Sequence, residues 1–134
     1  MMFAGCSDGR PKRVQVAGQV LIDGLPLKYG FISFVPANAR PSNCKLDSDG
    51  RFRLSCFEHA DGAVLGTHRV AVNAGEPIGG DKVRWHAPKK YLLTETSQLE
   101  QEITDATQDL VIKLTWDGRK PFIEKQDADA EGAQ

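Results

Sequence analysis

The sequence predicts an all-β fold, a seven-stranded antiparallel β-sandwich with roughly immunoglobulin-like packing of two sheets, and three features predict it. Short runs alternate apolar and polar residues with period two, as at Val14, Val16, Val20 and Ile22 and again at His68, Val70 and Val72. Thirteen Gly and seven Pro fall between these runs and mark many turns. The third feature is negative: no stretch carries the apolar period of a helix longer than a turn or two.

In chain order, the first strand alternates Val14, Val16, Val20 and Ile22 with Gln15 and Gln19, and Asp23-Gly24 ends it. Phe31 to Val35 is apolar on both parities except Ser33, the pattern of a central strand covered on both sides, and Pro36 stops it. Asn43 to Phe57 reads as a hairpin around Asp47-Ser48-Asp49-Gly50, a type I turn closed by Gly50 at positive φ. Pairing Asp47 with Arg51 sets Leu46 opposite Phe52 and Cys44 opposite Leu54. That register puts these residues and Cys56 on one face, and Lys45, Arg51, Arg53 and Ser55 on the other. Glu58 to Leu65 is a loop, His68 to Asn73 a strand, Ala74 to Asp81 a loop, and Lys82 to Leu93 has no clear period. Leu99 to Ile103 and Leu110 to Leu114 alternate around a turn at Thr104 to Thr107 and are expected to form a second hairpin. Phe52, Leu54, Val70, Val72, Ile112 and Leu114 lie on apolar parities and are the expected core.

Residues 14–116 therefore form the expected domain, with residues 1–13 before it and a tail at 117–134 that is expected to be disordered from Glu124, since nothing large and apolar follows. The chain has 134 residues, enough for a real core, with 40% hydrophobic and 26% charged residues. Its net charge of −1 gives no general attraction to nucleic acid, so no nucleic-acid partner is expected. No apolar run approaches the roughly 20 residues of a membrane span.

Phe3-Ala4-Gly5-Cys6 resembles a bacterial lipobox, in which small residues admit the signal peptidase and the Cys6 thiol receives lipid, with Phe3 standing where Leu is usual. The five residues before Cys6 are too few for the basic and apolar regions of an export signal, so the expected translation start lies upstream. Ser7 to Arg13 is polar and reads as a tether.

Several spaced segments resemble the carboxypeptidase-regulatory-like domain. They are Val16-Ala17-Gly18-Gln19-Val20, Asp23-Gly24-Leu25-Pro26-Leu27, Phe34-Val35-Pro36, Asp47-Ser48-Asp49-Gly50-Arg51-Phe52 and Leu65-Gly66-Thr67-His68-Arg69-Val70. Pro88-Lys89-Lys90-Tyr91, followed by Thr96-Ser97 and Leu99, is similar to a segment of the small planctomycete-type lipoproteins that carry this domain. The resemblance runs from Val14 to Leu114. It implies a transthyretin-like sandwich in a lipid-anchored envelope protein, facing the periplasm or exterior, with no assigned activity. The hydroxyisourate hydrolases share that fold, but they carry a His near the start, a His-x-His pair and a Tyr-Arg-Gly-Ser terminus. Here the first strand has no His, and the sequence ends Glu131-Gly132-Ala133-Gln134.

The residues hold no catalytic constellation and imply no cofactor. His59, His68 and His86 form no metal-ligand spacing, and no nucleophile accompanies them in sequence. Asp47 and Asp49 are a fragment of a calcium loop whose third ligand position is Arg51. Cys44 and Cys56 share a face as diagonal neighbours, which leaves both a disulfide and two free thiols open. Arg51, Arg53 and Lys45 make a small basic patch. Trp85, His86, Lys89, Lys90 and Tyr91 interleave aromatics with cations and are the candidate surface for an unknown protein or glycan partner. The function expected is a non-enzymatic envelope lipoprotein carrying a binding or structural module. The alternatives are a soluble accessory domain for carbohydrate or protein adhesion and, more distantly, an unrecognised hydrolase.

Overall fold

The computed structural model describes residues 11–125. In chain order its elements are β1 (Arg13–Val14), β2 (Val16–Ile22), β3 (Leu25–Pro26), β4 (Phe31–Pro36), β5 (Ser42–Lys45), β6 (Arg51–Arg53) and β7 (Ala63–Val64). They continue with β8 (Gly66–Asn73), β9 (Gly75–Pro77), β10 (Lys82–Trp85), a 3-10 turn (Lys89–Leu92), the single-turn helix α1 (Thr94–Ser97), β11 (Leu99–Ile103), β12 (Thr107–Leu114) and β13 (Phe122–Lys125). The fold is all-β, with no helix beyond one turn among the described residues.

Two larger sheets supply the core. One has the order β11-β8-β4-β5, and the other has the order β12-β2-β3 with β6 also paired to β2. Val16, Val20, Phe52, Ile112 and Leu114 from the second sheet pack in one cluster with Ile32, Phe34, Val70, Val72 and Ile103 from the first. All six expected core residues are buried there. Two smaller sheets flank them, β9-β10-β13 and the short pair β1-β7.

The sheets depart from the sequence reading in five places. First, thirteen strands among the described residues replace the expected seven: the first expected strand is divided into β1 and β2, and β3, β7, β9, β10 and β13 lie in stretches read as a bend, loops, irregular chain or tail. Ala63 and Val64 are both buried and pair with β1, whereas Gly75 to Pro77 pair with β10.

Second, the pairing is not wholly antiparallel: β12 runs parallel to β2, with Ile112 opposite Val20. Gly18 permits this, since a Cβ there would collide with the Leu110 backbone.

Third, Leu99–Ile103 and Leu110–Leu114 do not form a hairpin. β11 pairs with β8 and β12 with β2, so the turn between them crosses from one sheet to the other. Both strands still turn apolar faces into the same core, which is why their parity looks like that of a hairpin.

Fourth, β4 is central in its sheet but covered on one face: Ile32 and Phe34 are fully buried while Phe31 is 43% exposed. Fifth, the tail does not become featureless at Glu124. Residues Phe122 to Lys125 form β13 and pair with β10, Trp85 opposite Phe122 and Lys82 opposite Lys125. The remainder of the expected disordered tail, 126–134, lies outside the described residues.

The Asn43–Phe57 hairpin is right in register and different in partnership. Gly50 has φ +75°, its N–H donates to Asp47 O at 2.9 Å, and Asp47 pairs with Arg51. Asn43 and Ser55 exchange hydrogen bonds of 3.0 Å, as that register requires. Between these rungs the two strands separate, β5 pairing with β4 and β6 with β2, so the hairpin is a corner joining the two large sheets.

The N-terminal and C-terminal ends of β2 mark two poles. At the first pole, β1 is fastened by β7 and by Arg13, whose Nε lies 2.8 Å from Asp61 Oδ2. At the second, about 20 Å away for a strand rising roughly 3.3 Å per residue, Asp23 receives Thr115 Oγ1–H at 2.8 Å and ties down the end of β12.

Candidate functional site

The surface expected from Trp85, His86, Lys89, Lys90 and Tyr91 is divided by the fold. Tyr91 is buried, and its hydroxyl accepts the Thr115 N–H at 3.1 Å, which holds the 3-10 turn against the end of β12. Trp85 is also buried; its indole N–H donates to Glu124 Oε1 at 3.0 Å, and Phe122 stacks on its ring. His86 turns elsewhere, stacked on Tyr29 with Nε2 2.8 Å from Glu76 Oε1. Lys89 and Lys90 line a recess.

That recess is a groove of about 350 Å³ at the second pole, walled by Pro88, Lys89 and Lys90 on one side and the Trp116–Phe122 segment on the other. Asp117 and Gly118 take positive φ, and Arg119 N–H closes back on Trp116 O at 3.0 Å, so the chain turns tightly and presents Arg119 and Lys120. Trp116 packs edge-on against Phe122. Trp116 is 6% exposed and Phe122 41%, so the ring open to solvent is that of Phe122.

The charges here are unevenly matched. Lys90 Nζ donates to Asp117 Oδ2 at 3.0 Å, and this hydrogen bond raises the Lys90 pKa above its ordinary value. Lys89 Nζ donates to both oxygens of Glu124, at 3.1 and 2.9 Å, while standing 5.6 Å over the Trp85 ring. The Lys89 hydrogen bond, followed by that from Trp85, holds the Glu124 carboxyl below the usual carboxylate range. Arg119 and Lys120 have no carboxylate in ion-pair reach among the described residues. Among the described residues, four cations face Asp117 and Glu124 at the groove, an excess of two positive charges.

Trp116, Arg119, Lys120 and Phe122 were not among the residues singled out in the sequence. The signal was present, since Trp116-Asp117-Gly118-Arg119-Lys120-Pro121-Phe122 interleaves aromatics and cations as 85–91 does. It followed the last regular strand and read as the start of the tail.

A second recess, of about 480 Å³, opens at the hairpin corner. Lys45, Arg51 and Arg53 of the basic patch line it together with Asp47, Asp109 and the half-buried Cys44, so its charges are nearly balanced. The Cys44–Cys56 disulfide is not formed. Cys44 Sγ donates to Lys45 O at 3.1 Å and Cys56 Sγ to Arg40 O at 3.6 Å, two separate sites on a corner whose strands diverge.

Asp47 Oδ1 receives the N–H groups of Asp49 and Arg51, each at 2.9 Å, which accounts for its place in the turn. His68 is fully buried with Nε2 2.8 Å from Val64 O, a core histidine as its parity implies, and His59 is exposed. No group of three potential metal ligands occurs among the described residues. Cys6 lies outside the described residues.

Comparison with models of known families, with curated proteins and with solved structures finds no match to this chain.

Proposed function

We propose that this protein is a non-catalytic binding module held at an envelope membrane through lipid on Cys6, and that it meets its ligand in the groove between Pro88–Lys90 and Trp116–Phe122. The observation that carries this reading is the placement of the two ends. The chain enters at the first pole through β1, seven residues after Cys6, and the groove lies at the opposite pole. β2 and β12 run parallel from one pole to the other and set that distance. A lipid at the entry pole leaves the groove turned away from the anchoring membrane, open to a ligand arriving from beyond it. The clamp on β1 contributes, since a tether fixed by Arg13 to Asp61 holds orientation better than a free one. The resemblance to carboxypeptidase-regulatory-like lipoproteins, with its transthyretin-like sandwich, agrees with two large sheets that share one core.

Two or three acyl chains anchor a protein stably where one binds only reversibly. Expressed with an upstream leader, the protein is therefore expected in the membrane fraction, and Cys6→Ser is expected to release it. If Cys6→Ser fractionates with membranes as the parent does, the anchor is wrong and a soluble accessory module with the same groove takes its place.

A further inference from the structure

We infer that the groove binds a carboxylated oligosaccharide, with Arg119 and Lys120 taking the uronate carboxylates and the Phe122 ring taking the C–H face of a sugar. The inference rests on the groove being the ligand surface and names its ligand class.

Three observations point to that class. The excess of two positive charges sits on Arg119 and Lys120, whose side chains have no hydrogen-bond partner among the described residues, and an arginine fork matches a carboxylate in shape as well as charge. Beside them, Phe122 is 41% exposed but held in place by Trp85 stacked upon it and Trp116 against its edge. A fixed, half-open ring gives a flat contact without further loss of side-chain freedom. Third, the Trp116 side chain, nine-tenths buried in the groove wall, has no acceptor for its indole N–H among the described residues. Uronates offer what these groups lack, being rich in acceptors, negatively charged and apolar on the ring faces. The volume of about 350 Å³ is at the small end for such sites, suited to a few rings.

An acidic peptide shares the charge but also needs a sheet edge to hydrogen-bond its backbone. Among the described residues β13 is the edge strand of its sheet, yet it is four residues long, preceded by Pro121 and ended by Lys125. Proline and lysine are the devices that blunt a sheet edge. With the proposed anchor entering at the first pole, a lipid headgroup of that membrane would face the opposite end of the domain from the groove.

The test is titration calorimetry of the full chain at low salt with tetragalacturonate, its methyl ester, tetraglutamate and phosphatidylglycerol vesicles. Tetragalacturonate is expected to bind, more weakly as salt rises, and each of the other probes at least about tenfold more weakly. Arg119→Gln and Lys120→Gln should each weaken it about tenfold, the worth of one charged hydrogen bond. Both side chains are at the surface, so these variants should fold. Phe122→Ala should weaken it too, and amide shifts of the parent on titration should map to Trp116–Phe122 whether or not that variant folds. Equal binding of the methyl ester or tetraglutamate, or undiminished binding by Arg119→Gln, overturns the ligand class but leaves a groove that binds. Absence of binding by all four probes overturns the groove itself; the Cys6 fractionation reports on the anchor alone.

Discussion

The Cys44 thiol accepts the Arg53 backbone N–H at 3.4 Å and stands where a rung of the hairpin ladder is missing. In the register set by Asn43–Ser55 and Asp47–Arg51, Lys45 and Arg53 should exchange hydrogen bonds. β5 and β6 are instead drawn apart by their separate sheets, and the sulfur, donating onward to Lys45 O at 3.1 Å, bridges the gap. A long C–S bond and a group that both donates and accepts suit this place.

Cys44→Ala is therefore expected to destabilise the protein by about 0.5 kcal/mol, the low end of what one hydrogen bond contributes, because the Arg53 N–H is at an exposed site where water can replace the sulfur. Cys44→Ser keeps donor and acceptor and should lose about half as much. Urea unfolding of the three proteins measures this, and equal stability of parent and Cys44→Ala would show that the bridge contributes nothing.

Leu54 is fully buried between the sheets, and its N–H donates to Val16 O at 2.9 Å. Leu54→Ala is expected to cost roughly 2–5 kcal/mol, the transfer of its methyl groups plus the cavity left behind. A loss below about 0.5 kcal/mol would be incompatible with its place in the core.

The loop after β6 depends on one carboxylate. Asp61 accepts the N–H groups of Cys56 at 2.6 Å and of Phe57 and Glu58 at 3.1 Å, with Arg13 beside it. Burial pushes its pKa up, but these backbone hydrogen bonds and the Arg13 charge outweigh burial, and the net displacement is below the ordinary 3.8. A carboxyl lowered on folding stabilises fully above its unfolded pKa, and that stability is lost as pH falls through the folded value. Acid should thus weaken the parent below about pH 4 more steeply than Asp61→Asn, which lacks the titrating group. Parallel stability curves for the two proteins would exclude the carboxylate as the source.

What was legible in the sequence follows from what side-chain parity can report. Burial alternates along a strand whichever strand lies beside it, so Phe52, Leu54, Val70, Val72, Ile112 and Leu114 were placed inside correctly. Sheet membership depends on pairings far apart in sequence. Leu99–Ile103 and Leu110–Leu114 look like neighbours and lie in opposite sheets for that reason. The groove was half legible. Lys89 and Lys90 reach it, but Trp85 and Tyr91 spend their polar atoms on Glu124 and Thr115, partners that no local pattern announces.

β13 is the element that parity missed, because polar and aromatic contacts hold it more than a buried stripe does. Glu124 ties it to Trp85 and Lys89, and Phe122 lies between Trp85 and Trp116, while Ile123 is 53% exposed. Half-burying a phenylalanine stabilises by about 1 kcal/mol, and the ladder to β10 adds to this. A chain ending at Pro121 should therefore melt on the order of 5–10 °C below one ending at Lys125. The comparison isolates the four strand residues, because both chains lack everything beyond Lys125. The shorter chain should also bind tetragalacturonate weakly, having lost the ring at the groove. Equal melting temperatures would mean that β13 adds nothing to the stability of the sheet it extends.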